Sequence, residues 1–164
     1  MNLTKTERLI LANQYRILEI LVPVEADDYR QKHDIVRQGY AGHYSQLDQW
    51  FYEEMSVERC SEIRQILDMF RALTNARTRG LEVSGDKLAF VGFDGNDEGE
   101  EFGYVTFLVE TLHRWDELKT SDLNSHWPML PRYRAMVSAW EASGEKFELT
   151  QQDIDRIAAA AEEA

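Results

Sequence analysis

The chain has 164 residues, 43% hydrophobic, 11% aromatic and 29% charged, with nine glycines and three prolines. That is the length of one ordinary domain, whose folding removes roughly 70% of the extended-chain surface from water, and the composition is too apolar for a disordered segment. Eighteen basic against thirty acidic residues give a formal net charge of −12, which repels a phosphate backbone and excludes nucleic acid as an expected partner unless a local basic patch overcomes the field.

Lys5 and Arg8 precede only the four apolar residues 9–12 before Asn13, too short a run for a secretory leader. The one cysteine, Cys60, closes no internal disulfide, so the expected compartment is the cytoplasm. Apolar runs such as residues 105–109 fall far short of the ~20 residues that span a bilayer, and no membrane association is expected.

Thr4 and Glu7 read as a capping box that opens a helix over residues 6–21, stopped by Pro23. Leu9, Ile10, Leu11, Tyr15, Ile17, Leu18, Ile20 and Leu21 lie all round it, the pattern of a helix enclosed by others, and it is expected to be the central post of the fold. On such a post Asn13 and Gln14 would serve as a bracket between helices or line a pocket. A second helix is expected over residues 25–38, ending before Gly39, then a turn rich in glycine and tyrosine over residues 39–44. A short helix follows over residues 45–54, with Leu47, Trp50 and Phe51 at helical spacing. Ser56 is the expected N-cap of a long helix to about Arg77, whose apolar stripe contains Val57, Cys60, Ile63, Ile66, Leu67, Phe70 and Leu73. Cys60 reads there as a small apolar group rather than a nucleophile. The bases Arg71, Arg77 and Arg79 near its end complement the helix dipole.

Residues 80–85 read as a loop. The run 88–91 is strand-like but has no evident partner strand, so it is taken as extended loop. Five acids, Asp94, Asp97, Glu98, Glu100 and Glu101, fall within eight residues that contain no base, ahead of a helix expected over residues 98–113. Residues 120–126 read as a polar loop. Pro128 and Pro131 suit the opening of a helix to about Ala142, with Met136, Val137 and Trp140 inward and Gly144 after its end. Thr150 and Asp153 resemble a further N-terminal cap, opening a last helix through Ile154, Ile157 and Ala158 to a frayed end at residues 162–164. No internal repeat or linker interrupts the pattern. The expected fold is all-α, one domain over residues 1–164 with about six to eight helices.

Motifs for chemistry fail on their spacing. Residues 94–99 place carboxylates at the first and fifth positions of a calcium loop, Asn96 at the third and Gly99 at the sixth, but the twelfth position is Val105 where a bidentate Glu is required. A tight turn with Asp and Asn side chains on local amides fits better. His33-Asp34 lacks the earlier histidine of a metal-binding HD pair. Glu110 and His113 form a single Glu-x-x-His where a di-iron bundle needs two. No zinc cluster, nucleophile elbow, phosphate loop or dinucleotide fingerprint occurs, so no cofactor, metal or catalytic residue is assigned.

Three blocks carry a resemblance: residues 7–11 with Asn13-Gln14-Tyr15, the run Gly92-Phe93-Asp94-Gly95-Asn96, and Asn124-Ser125-His126 leading into Pro128-Met129-Leu130-Pro131-Arg132-Tyr133. Together they resemble, in the same order and over nearly the whole length, the YfbU family of small bacterial proteins. The resemblance implies an all-helical domain. It also implies a sensing role, because some relatives join the domain to a DNA-binding segment; the present chain is expected to be the helical part alone. It supplies no catalytic residues.

The leading expectation is a non-enzymatic module that senses a small molecule or binds a protein partner and forms a homo-oligomer, since several apolar helices and four tryptophans must be covered by one small domain. The alternatives are a metal-dependent hydrolase using Asp94, Asp97 or Glu98 near His126, and an acidic protein that blocks a basic surface. The expected ligand site lies where the acidic turn faces residues 124–133. Asp94 and Asn96 would offer acceptors and an amide there, and His126 and Arg132 donors, with Arg132 able to grip an oxyanion at two points. The competing reading of these residues is a bracket in which Asp94 and Arg132 hold two helix ends together.

Overall fold

The computed structural model describes residues 1–119 and 122–163. Thr120 and Ser121, at the start of the expected polar loop, and Ala164, at the expected frayed end, lie outside the described residues. The structure is all-α: six α-helices and several 3-10 turns, with one isolated bridge and no strand among the described residues. No helix is long and apolar enough to cross a membrane among those residues. The chain divides into two compact units, Met1–Glu54 and Met55–Ala164.

The first unit is a helical hairpin. Helix α1, Lys5–Leu21, begins at the expected capping box: Thr4 Oγ1 accepts from the amide of Glu7 at 3.2 Å, and the amide of Thr4 donates to Glu7 Oε2 at 2.7 Å. A 3-10 turn at Pro23–Glu25 reverses the chain into α2, Ala26–Gln38. Gly39 ends α2 in the left-handed region at φ +76°, and a Cβ there would stand 2.2 Å from Arg8 Nη1. The two helices meet along one side of each, where Tyr15 stacks on Tyr29 at 6.4 Å and Arg30 Nε donates to Glu19 Oε1 at 2.9 Å.

Two expectations fail in this unit. Helix α1 is not an enclosed post. Only Ala12 on it is buried, while Leu9, Ile10, Ile17, Ile20 and Leu21 are exposed, as are Asn13 and Gln14. A single partner helix can cover only one stripe of a helix, so its second apolar stripe stays uncovered. The helix expected over residues 45–54 is absent as well: a 3-10 turn at Ala41–Gln46 gives way to irregular chain, and Trp50, Phe51 and Tyr52 stand in solvent.

The second unit holds the core. Ser56 caps α3, Val57–Thr78, by accepting from the amide of Arg59 at 3.1 Å. Its inner stripe, Ile63, Ile66, Leu67, Phe70 and Leu73, is fully buried, whereas Val57 is exposed and Cys60 half-buried. Helix α4, Gly99–Thr106, passes into a π-helical turn at Phe107–Thr111, so the regular helix expected to His113 ends early. Helix α5, Leu130–Glu141, starts with Pro131 in its first turn, and α6, Gln151–Glu163, starts at a reciprocal cap in which Thr150 and Asp153 bond each other's amide and side chain. Tyr133, Met136 and Trp140 from α5 and Ile154 and Ile157 from α6 close on the α3 stripe.

Candidate functional site

The structure brings together the two segments from which the sequence builds a site. Residues 89–98 run in irregular chain between a 3-10 turn at Asp86–Leu88 and α4, and residues 122–129 run between the π turn and α5. They touch at one parallel bridge, Phe93 to Asn124, in which the amide of Phe93 donates to Leu123 O at 3.1 Å and that of Ser125 to Phe93 O at 3.1 Å. The strand-like run at residues 88–91 forms no strand, and the bridge lies just beyond it at Phe93. Beneath it Phe70, Phe90, Phe93 and Tyr133 form an aromatic knot, with centroids 5.0 Å apart for Phe70 and Tyr133 and 5.5 Å for Phe93 and Tyr133, both near edge-on. Burial pushes the Tyr133 phenol far up, and its hydroxyl donates to Gly92 O at 3.1 Å while accepting from the amide of Val91 at 3.2 Å.

The turn over residues 94–98 is locked from inside. Asp94 Oδ1 accepts from the amide of Asn96 at 2.9 Å, closing the tight turn that its sequence suggests. Asn124 Oδ1 accepts from the amides of Gly95, at 3.2 Å, and His126, at 3.0 Å, and so ties the two segments together. Glu98 does the same at the far side. One of its oxygens accepts from the amides of Met129 and Leu130, at 2.8 and 2.6 Å, and the other from the amide of Asp94 at 3.1 Å. Its negative charge therefore sits at the positive end of α5, where free amides gather.

Of the four residues expected to bind a ligand, Asp94 is 4% exposed and Asn96 is on the surface beside it. His126 is exposed with its backbone in the left-handed region, and its Nε2 lies 3.6 Å from Asp122 Oδ2. Arg132 is half-buried. Its Nη1 approaches Met129 Sδ at 3.9 Å, its buried Nε has no hydrogen-bond partner, and no ion pair joins it to Asp94 among the described residues. The junction is held by Glu98, Asn124 and Tyr133, to none of which the sequence assigned this bracketing role. Glu98 stood out as an acid, but nothing in its neighbours shows that its partners lie thirty residues on.

Three of the five clustered acids are inside. Glu101 pairs with Arg59 from α3, while Asp97 and Glu100 remain on the surface. The acidic run therefore splits into an engaged inner set, Asp94, Glu98 and Glu101, and a solvated outer one, Asp97 and Glu100. Among the described residues no three His, Cys, Asp or Glu side chains gather as a metal ion would require. The family model described as the YfbU domain matches residues 1–160.

Proposed function

The chain belongs to the YfbU family, and from that premise we propose that it is a non-enzymatic interaction module which pairs with a second copy through the outer face of α1. The observation that carries this reading is that face itself. Leu9, Ile10, Ile17, Ile20 and Leu21 are 51–70% exposed and lie on one side of the helix, opposite the side that packs on α2. A continuous aliphatic stripe of this kind is disfavoured in water and marks an interface.

A second copy is the occupant that fits. Thr6, Ile10, Asn13, Ile17 and Ile20 recur at alternating intervals of four and three, the spacing of a two-helix seam, with Leu9 and Leu21 on its flanks. Asn13 lies in the middle of that seam, exposed, and its side chain makes no hydrogen bond among the described residues. Covered by an apolar partner it would lose water without compensation. Covered by its own two-fold mate it gains an amide that both donates and accepts, and fixes the register. The seam contains no charge, so the charge of −12 on each copy is kept away from the contact.

Asp94 and Glu98, which a hydrolase would need as free carboxylates, are engaged by backbone amides, and this supports a non-catalytic reading. Light scattering over a range of concentrations tests the pairing. The expected result is a two-chain mass for the unaltered protein and a one-chain mass for Ile17→Glu, with the helical signal of the two proteins equal. A one-chain mass for the unaltered protein at every concentration overturns the proposal.

A further inference from the structure

In an acidic chain, the second unit concentrates positive charge in one concave place. Helix α3 presents Arg64, Asp68 and Arg71 along one stripe, and the chain leaving the π turn lays Arg114 and Trp115 against it, lining an open hollow of about 370 Å³. Trp115 is the floor. It is 6% exposed, its indole Nε1 donates to Asp68 Oδ1 at 2.9 Å, and its ring has Arg71 at 5.1 Å and Arg114 at 5.9 Å from the centroid. The arginines differ in what neutralises them. Arg71 donates through Nε to Glu117 Oε1 at 2.5 Å. Arg64 reaches only the hydroxyl of Ser61, at 2.9 Å, and the Arg114 guanidinium has no hydrogen-bond or carboxylate partner among the described residues.

We infer that this notch binds a compact oxyanion, a phosphate or carboxylate group of a small metabolite, gripped by Arg64 and Arg114 above the Trp115 floor. Two guanidinium forks without a carboxylate, facing one cavity, are the donor set that such a group accepts at two points. The same pair acts on Tyr104, whose phenol is raised by burial and by Cys60 but pulled back by Arg64 and Arg114. The backbone is shaped for the placement: His113 and Trp115 both take left-handed conformations, at φ 51° and 54°, directly after a π turn, and side chains adopt such conformations only where their surroundings enforce them.

The test follows the Trp115 indole N–H by NMR, because its bond to Asp68 reports on the floor of the notch. Inorganic phosphate and citrate are titrated in turn at constant ionic strength, with chloride as the control, and the tighter of the two identifies the class of group. A saturable shift of that resonance is expected for at least one of them. Arg114→Gln, an exposed position that leaves the core untouched, and Arg64→Gln are each expected to bind roughly tenfold to hundredfold more weakly, as for the loss of a charged hydrogen bond. Arg114→Lys is expected to restore the response only in part, since the ammonium lacks the fork. The inference is overturned if neither anion moves the resonance beyond the chloride control, or if the folded glutamine variants, judged by their remaining resonances, respond as the unaltered protein does.

Discussion

Glu98 caps a helix that begins at Leu130. Its Oε1 accepts from the amides of Met129 and Leu130 and its Oε2 from that of Asp94, all with the carboxylate buried. Glu98→Gln keeps the volume but turns one oxygen into an N–H₂ group that must face an amide donor. The expected cost is about 1–3 kcal/mol for each buried group left unpaired, read as a lower urea midpoint, whereas Asp97→Asn on the exposed side of the same turn is expected to change it by less than about 0.5 kcal/mol. Equal effects of the two would remove Glu98 from its bracketing role.

The aromatic knot makes a second prediction with two graded steps. Phe93 is fully buried against Phe90 and Tyr133, so Phe93→Ala is expected to cost about 3–5 kcal/mol through lost burial and a cavity. Tyr133→Phe keeps the ring and removes only the hydroxyl that serves Gly92 O and the Val91 amide, for a smaller expected loss of about 1–3 kcal/mol. Glu163→Ala, on the surface, is the reference. Thermal unfolding of the three variants should rank them in that order, and a Phe93→Ala midpoint no lower than that of Glu163→Ala would contradict the knot as the organiser of the core.

Gly92 is fixed by space as well as by conformation. It sits at φ +90°, and a Cβ on it would fall 1.8 Å from Leu123 O, the atom that accepts from the Phe93 amide. Gly92→Ala must therefore strain its own backbone, at about 1–3 kcal/mol, and push residue 123 out of the bridge. Faster hydrogen exchange at the Phe93 and Ser125 amides is the expected signature; unchanged exchange at both would show that the bridge tolerates the displacement.

Several features of this fold were legible because their causes are local. The reciprocal caps at Thr4 with Glu7 and at Thr150 with Asp153 need only residues three apart, and the Asp94 turn needs two. The meeting of the acidic turn with the segment before α5 was also legible, since both are loop-to-helix junctions dense in polar side chains. What the residues do at that meeting was not: the amides of Met129 and Leu130 on Glu98, and that of Gly95 on Asn124, are brought to them by the tertiary fold. The apolar stripes of α1 were visible in its periodicity, but periodicity states that a face is apolar and says nothing of what covers it, which is why the enclosed post proved to be half of a hairpin. The arginine notch left the weakest trace. Its members come from α3 and from a left-handed chain after a π turn, and neither the π turn nor the positive φ of Trp115 has a sequence marker.

The last prediction concerns pH. Glu62 receives Arg134 Nε at 2.6 Å and Nη2 at 3.1 Å, and also Arg59 Nη1 at 3.1 Å, while Arg59 continues to Glu101, so that charges alternate along a row from α5 across α3 to α4. The bond from Arg134 is the largest cause holding the Glu62 carboxyl below its ordinary value of 4.5, and burial opposes it. A carboxyl whose value is lowered on folding adds stability that is present in full above its unfolded value and disappears as the pH falls through the folded one. With the Glu62 side chain 28% and the Arg134 side chain 51% exposed, solvent screens the pair, and a contribution of about 0.2–1 kcal/mol is expected at pH 7. Glu62→Gln should therefore lower the urea midpoint at pH 7 and lose that difference once the pH is well below 4.5, where both proteins carry an uncharged group at this position. A difference of the same size at both pH values would assign the effect to packing instead of charge.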